Sequence, residues 1–267
     1  MRAIWKGAIQ FGLVTIPIRL YTGTEDRSVG FHQLHAEDLG RIRYRRVCEV
    51  CGRDVDYADI IKGYELDGGR YVPLTDEELE SVPAPSGRAV EISSFVEMEQ
   101  IDPMYYQRTY YLAPEEIGAK AYQLLRETLE RTGKAAVAKI AIREKEHLAL
   151  IRPKGEALVL ETMYWPDEIR DIPSEELHPD VQIREPELKM AENLIESLTE
   201  EWDPTAFKDE YREALMEIIE RKAAGQEIEA PPEPEAAPVI DLMEALKASV
   251  EAAKTTRAAR KKSAAAS

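Results

Sequence analysis

Residues 134–165 constrain the fold more than any other part of the chain. Three strand-length segments, 135–143, 147–152 and 157–165, are joined by Glu144-Lys145-Glu146 and Pro153-Lys154-Gly155. Connections this short between β-favouring runs make antiparallel hairpins, and a meander of this kind must close into a barrel or pack as a sandwich. Upstream, residues 2–24 read as two further β segments. Thr15-Ile16-Pro17-Ile18-Arg19-Leu20-Tyr21 alternates in polarity, and Pro17 points to an edge or a strand start. Segments 60–66 and 71–74 flank Asp67-Gly68-Gly69-Arg70 and predict a hairpin, and 89–98 and 105–112 add two strand candidates. One helix stands among them. It opens at Pro114-Glu115-Glu116, carries Ile117, Ala121, Leu124, Leu125 and Leu129 as a stripe, and stops at Gly133.

After Trp165 the character changes. Helices are predicted over 185–200 and 204–223, then a Pro/Glu linker over 226–238. Beyond it, Ile240, Leu242, Met243, Leu246 and Val250 belong to a short amphipathic helix whose stripe suits a partner groove. The last residues are Ala, Lys and Arg without an apolar pattern.

Charge is unevenly distributed. The net value is -16, yet residues 156–246 alone carry 7 basic and 26 acidic side chains. Residues 1–60 carry 9 and 8, so the first part of the chain is close to neutral, with local basic clusters. The densest is Arg41-Ile42-Arg43-Tyr44-Arg45-Arg46, where a strand would place Arg41, Arg43 and Arg45 on one side at roughly 6.6 Å intervals. Such a row suits an anionic partner, and it equally suits a charge-coated edge strand. A second basic set is Lys134, Lys139, Arg143, Lys145, Arg152 and Lys154, of which strand alternation should turn about half away from any common surface. Lys6, Arg19, Lys62 and Arg70 complete the candidates.

Two cysteines, Cys48 and Cys51, follow the arginines. Two cysteines in a chain this long do not make a disulfide framework, and the N-terminus, broken by charge and glycine, has no signal-peptide pattern, so a cytoplasmic protein is expected. No apolar run is long enough for a membrane span. A Cys-x-x-Cys outside a βαβ context is a weak redox signal, and two thiolates need two more ligands to close a zinc site. The nearest are His35 and Asp38, with His32 as a spare. No Walker loop, G-x-S-x-G or His-Glu-x-x-His is present, which leaves a binding or scaffolding role ahead of catalysis. A redox or metal-dependent enzyme built on Cys48 and Cys51, and an acidic interaction scaffold without nucleic acid, are the competing classes.

Five segments in order carry a resemblance. Ile4-Trp5-Lys6-Gly7-Ala8-Ile9-Gln10-Phe11-Gly12-Leu13-Val14-Thr15-Ile16-Pro17-Ile18, Lys62-Gly63-Tyr64-Glu65, Ile101-Asp102-Pro103-Met104-Tyr105-Tyr106, Trp165-Pro166-Asp167-Glu168-Ile169-Arg170 and Leu188-Lys189-Met190-Ala191 closely resemble bacterial Ku, the DNA-end-binding family of non-homologous end joining. The match runs from residue 2 to about residue 253. It implies a mixed α/β protein. An antiparallel barrel of about seven strands over 1–170, with a bridge insertion at about 30–90, would form half of a DNA-encircling ring. A helical dimerisation arm over 171–225, a ligase-recruiting helix over 239–253 and a basic disordered tail over 254–267 would follow. The implied partners are double-stranded DNA ends, a second copy of the chain and an ATP-dependent DNA ligase, at breaks in the bacterial nucleoid. Relatives with His-x-x-Cys or His-x-x-Asp ahead of Cys-x-x-Cys make one structural zinc per chain the expected cofactor, on His35, Asp38, Cys48 and Cys51. No catalytic cofactor is implied.

Overall fold

A computed structural model describes residues 1–82, 88–143, 145–172, 181–226 and 243–252. Residues 227–238 of the expected 226–238 linker, the expected tail over 254–267 and two of the recruiting-helix positions, Ile240 and Leu242, lie outside them. The chain divides into two compact units, Met1–Asp171 and Ile172–Ser267.

Seven strands of the first unit close a barrel in the order β1-β2-β6-β9-β8-β7-β5. They are β1 (Trp5–Phe11), β2 (Val14–Thr22), β5 (Ala89–Glu97), β6 (Tyr106–Pro114), β7 (Lys134–Ile142), β8 (Lys145–Lys154) and β9 (Ala157–Met163). The meander β7-β8-β9 forms where the sequence places it, with alternate residues of each strand facing the barrel interior. Its inward positions Ala136, Ala138, Ile140, Ala149, Ile151, Leu158 and Leu160 pack with Ile9, Ile16, Ile18 and Leu20 from β1 and β2. The barrel is not wholly antiparallel as expected: β1 and β5 pair in parallel, Ala8 against Ala89 and Ile9 against Val90, and this ladder closes it. A parallel neighbour must come from far along the chain and leaves no turn signal.

Pro17 sits inside β2 opposite Ala8 rather than at a strand start. The lost N–H is tolerated because β6 pairs with β2 only from Ile18 onward, so Pro17 has a strand neighbour on one side only. Helix α2 (Ala119–Thr132) follows a 3-10 turn at Glu116–Gly118 and ends at Gly133, whose φ of 67° is the left-handed conformation glycine accepts. Tyr122, Leu125 and Leu129 point from α2 into the barrel core. On the outer face a smaller cluster forms, in which Ala135, Leu150 and Met163 are covered by Met98, Ile101, Tyr105 and Tyr106. It covers Met163 on the outer side of β9, a strand whose other outward residues, Val159 and Glu161, are buried as well.

The excursion between β2 and β5 holds the two-stranded ribbon β3 (Lys62–Leu66) and β4 (Arg70–Leu74), then the six-residue α1 (Asp76–Ser81). A capping box between Thr75 and Glu78 starts α1, as the Thr-x-x-Glu spacing predicts.

In the second unit α3 spans Glu185–Leu198 and α4 spans Glu210–Ala223, and residues 243–252 form α5. The α4 start differs from the sequence reading. Asp203-Pro204 opens only a 3-10 turn, Pro204–Ala206, and the α-helix begins at Glu210 with the Asp209 side chain accepting from the Arg212 N–H. Both aspartates suit an N-cap, and spacing alone does not choose between them.

Candidate nucleic-acid interface and metal-ligand loops

The Arg41–Arg46 stretch is not a strand. Its only ladder contacts are single bridges, Leu34 with Arg41 and Val47 with Asp54, so no pleat sorts its arginines onto one side. The chain around it instead builds one loop twice. In the first copy the His35 N–H donates to the Gly40 carbonyl at 2.8 Å and the Leu39 N–H to the His35 carbonyl at 2.9 Å. In the second the Cys48 N–H donates to Arg53 at 2.9 Å and the Gly52 N–H to Cys48 at 2.8 Å. The fifth residue of each loop, Leu39 or Gly52, is left-handed, with φ of 57° and 66°. Every feature of the first loop recurs 13 residues later: His35 becomes Cys48, Asp38 becomes Cys51, Leu39 becomes Gly52. Holding Leu39 there costs on the order of 1–3 kcal/mol, so the loop shape is kept against the preference of that residue.

The chain reversal brings the first and fourth side chains of each loop together. His35 Nδ1 lies 3.0 Å from Asp38 Oδ1. The Gly40 N–H, at 2.8 Å, and then His35 hold the Asp38 carboxyl below its usual range. The Arg53 backbone N–H, then the Arg53 side chain and the Cys48 thiol, pull the Cys51 thiol down. Each loop thus presents a preorganised pair of zinc-compatible donors, nitrogen and oxygen in one, two sulfurs in the other. Among the described residues no group of three or more His, Cys, Asp or Glu comes close enough to share an ion, so the pairs stand apart.

Around these loops the arginines find different neighbours. Arg41 Nη2 donates to His32 Nδ1 at 3.0 Å, Arg45 lies 3.4 Å from Asp54, and the Arg46 guanidinium stands 5.3 Å above the Tyr57 ring. No described carboxylate lies within ion-pair distance of Arg43. In the ribbon the register Lys62–Leu74, Tyr64–Val72 and Leu66–Arg70 puts Lys62 and Arg70 on the same face, at opposite ends, with exposed Tyr64 and Val72 between them. Lys62 is 3.4 Å from Asp76.

Strand phase sorts the barrel cations. Lys6 and Arg19 are direct cross-strand partners on the outer face, and Arg19 is 3.0 Å from Glu115. Lys139, Arg152 and Lys154 also point outward, since Ala138, Ile140, Ala149 and Ile151 point in. Lys139 is 3.2 Å from Glu146 and 5.5 Å from the Trp165 ring centre. Arg152 is tied to buried Glu161 at 2.5 Å. Lys134 and Lys145 fall in the inward phase at opposite ends of the barrel, Lys134 lying 3.5 Å from Glu97. Arg143 occupies the β7–β8 turn with φ of 51°.

Two residues that the sequence reading passed over join Lys145. His147 shares its strand face, and Arg108 starts the inward phase of β6 at the same end of the barrel. Burial, then the Lys145 charge, pushes the His147 pKa down, Glu168 opposes this, and Arg108 adds to it. A lone histidine in a strand carries no sequence signal for such a rim.

In the second unit Met243 and Leu246 are half-buried and Val250 is 8% exposed. Helices α3 and α4 nevertheless expose Leu188, Ile195, Leu198, Tyr211 and Met216, and Trp202 stacks on Phe207 at 5.2 Å with both rings open to solvent. No helix among the described residues is long and apolar enough to cross a membrane.

The family model described as "Ku70/Ku80 beta-barrel domain" matches residues 10–190. A "Non-homologous end joining protein Ku" of Frankia casuarinae is 50% identical over 96% of this chain and 65% of its own length. "Non-homologous end joining protein Ku 2" of Saccharopolyspora erythraea is 47% identical over 98% of this chain and 87% of its own. A Mycobacterium tuberculosis relative with the same name as the first is 41% identical over 94% and 96%. The chain therefore spans about two thirds of the Frankia casuarinae relative and nearly all of the Mycobacterium tuberculosis one.

Proposed function

Because the chain belongs to the Ku family, we propose that it binds the ends of double-stranded DNA without sequence preference, as a ring-shaped homodimer, and passes them to an ATP-dependent DNA ligase in non-homologous end joining. The observation that carries this reading is the persistence of cations without described carboxylate partners, namely Lys6, Arg41, Arg43, Arg46, Arg70, Lys145 and Lys154, in a chain of net charge -16. A ring needs positive charge only on its inner wall, and an acidic exterior keeps DNA from binding elsewhere. Contacts of this kind read phosphates and not bases. Each phosphate neutralised releases counterions, so affinity falls steeply with salt.

The exposed apolar residues of α3 and α4 support a dimerisation arm, because monomers rarely leave so much apolar surface uncovered. One structural zinc on His35, Asp38, Cys48 and Cys51 extends the reading to the paired loops. The ion would join two preorganised donor pairs into one tetrahedron and fix how the arginines between them are presented. The role is one of binding and scaffolding, without catalysis.

Gel shifts with one duplex in two forms test the threading reading. Linear DNA should bind and the covalently closed circle should not, with affinity independent of sequence. Equal affinity for both forms would falsify threading. Metal content of purified, tag-free protein tests the zinc independently. About one zinc per chain is expected, and less than about half rules the site out.

A further inference from the structure

The apolar stripe of α5 is covered by its own chain. Residues 243, 245 and 246 are half-buried and Val250 is buried at 8% exposure, while 244, 247, 248, 249 and 251 face solvent. The inward face is therefore the Met243–Leu246–Val250 stripe, the same stripe that a partner groove would need. A cleft lined by Met190 and Asn193 of α3 and by Lys247, Val250 and Glu251 of α5 brings the two helices together within the second unit.

A helix of this length is marginal in water by itself, so its helical form implies a surface that stabilises it. Helix α3 has the surface. Its half-buried positions Met190, Ala191 and Leu194 form one edge of a wide apolar face, and Leu188, Ile195 and Leu198 form the exposed remainder. The dock thus occupies only part of α3 and leaves the rest for a second copy of the chain.

We propose that the Met190–Asn193 face of α3 is the resting dock of α5, and that the ligase can take the α5 stripe only after α5 leaves it. This rests on the reading of α5 as the ligase-recruiting element. The consequence is arithmetical: the ligase sees only the undocked fraction, and its apparent Kd is the intrinsic value divided by that fraction. If α5 is docked about 90% of the time, emptying the dock strengthens ligase binding about tenfold.

The test uses the full-length chain with Met190→Asp, and with Asn193→Glu as a second variant at an exposed position that does not challenge folding. Amide hydrogen exchange over 243–252, without ligase, should quicken about tenfold in both variants. Affinity for the end-joining ATP-dependent ligase of the same organism should rise by a similar factor. Val250→Asp should undock the helix and also lose the ligase. Unchanged exchange in both α3 variants overturns the dock. Faster exchange with unchanged affinity, where the wild type binds ligase, overturns the competition. If neither wild type nor variants bind ligase, the recruiting role fails, and the exchange rates alone decide the dock.

Discussion

Arg152 holds the buried carboxylate of Glu161 at 2.5 Å, and the second Glu161 oxygen has no hydrogen-bond partner. The Arg152 side chain is 23% exposed and that of Glu161 is 6% exposed. This cation is occupied with the barrel wall. Replacing Arg152 with Ala leaves a buried charge uncompensated and should destabilise the protein by about 3–5 kcal/mol in urea unfolding. Arg43→Ala makes the contrast: stability should stay within about 0.5 kcal/mol, and the salt slope of DNA binding should drop by about 0.9 if Arg43 meets one phosphate. The opposite pattern, an Arg152 variant of wild-type stability that binds DNA poorly, would move Arg152 into the interface.

Gly7 should not tolerate a methyl group. A Cβ there would lie 2.2 Å from the Arg88 carbonyl oxygen and 2.2 Å from Cη2 of Trp5. The Arg88 carbonyl accepts from the Ala8 N–H at 2.9 Å, and Trp5 Nε1 donates to the Ala141 carbonyl at 2.9 Å, so neither neighbour moves freely. Gly7→Ala should cost about 1–3 kcal/mol or more and shift tryptophan fluorescence as the Trp5 ring is displaced. A variant with wild-type melting and emission shows that the ring has room.

The Tyr122 hydroxyl joins two strands from inside the barrel, donating to the Leu112 carbonyl at 2.7 Å and accepting the Leu158 N–H at 2.7 Å. Tyr122→Phe strands both backbone groups without water, a loss of about 1–3 kcal/mol. Exchange of the Leu158 amide should rise with it. A neutral substitution would mean that the barrel admits a replacement water.

His147 gives stability a pH dependence. Its folded pKa lies below the ordinary 6.5, chiefly through burial and then through Lys145. The unfolded chain therefore binds the proton first, and the contribution of His147, complete above pH 6.5, is lost as pH falls toward the lower folded value. Thermal melts between pH 7.5 and pH 5.5 should show a decline that His147→Gln flattens. Parallel curves for the two proteins would remove His147 as the source.

Local features of this chain were legible and distant ones were not. The three hairpin strands, α2 with its terminal glycine, the β3–β4 ribbon and the Thr75 cap each follow from residues a few positions apart. The β1–β5 ladder, the Tyr122 bridge and the Arg152–Glu161 pair join positions that nothing local relates. Arg41–Arg46 misled because alternation of charge and bulk is a strand signal only where a neighbouring strand exists. The repeat of the loop was present in His-x-x-Asp-Leu-Gly and Cys-x-x-Cys-Gly, hidden because Leu39 occupies a position that normally announces itself as glycine.

The barrel treats the excursion between β2 and β5 as a guest. The strand it leaves and the strand it rejoins flank β1, with Leu20 opposite Trp5 on one side and Ala89 opposite Ala8 on the other. Its two attachment points thus lie on either side of β1, toward the same end of the barrel. Their separation is set by the ladders of β1 and by nothing within residues 23–88. Such a cassette can lengthen, shorten or be exchanged with little entropic cost and without re-registering a strand. Residues 23–88 can therefore diverge in length and charge while the frame that carries them stays unaltered.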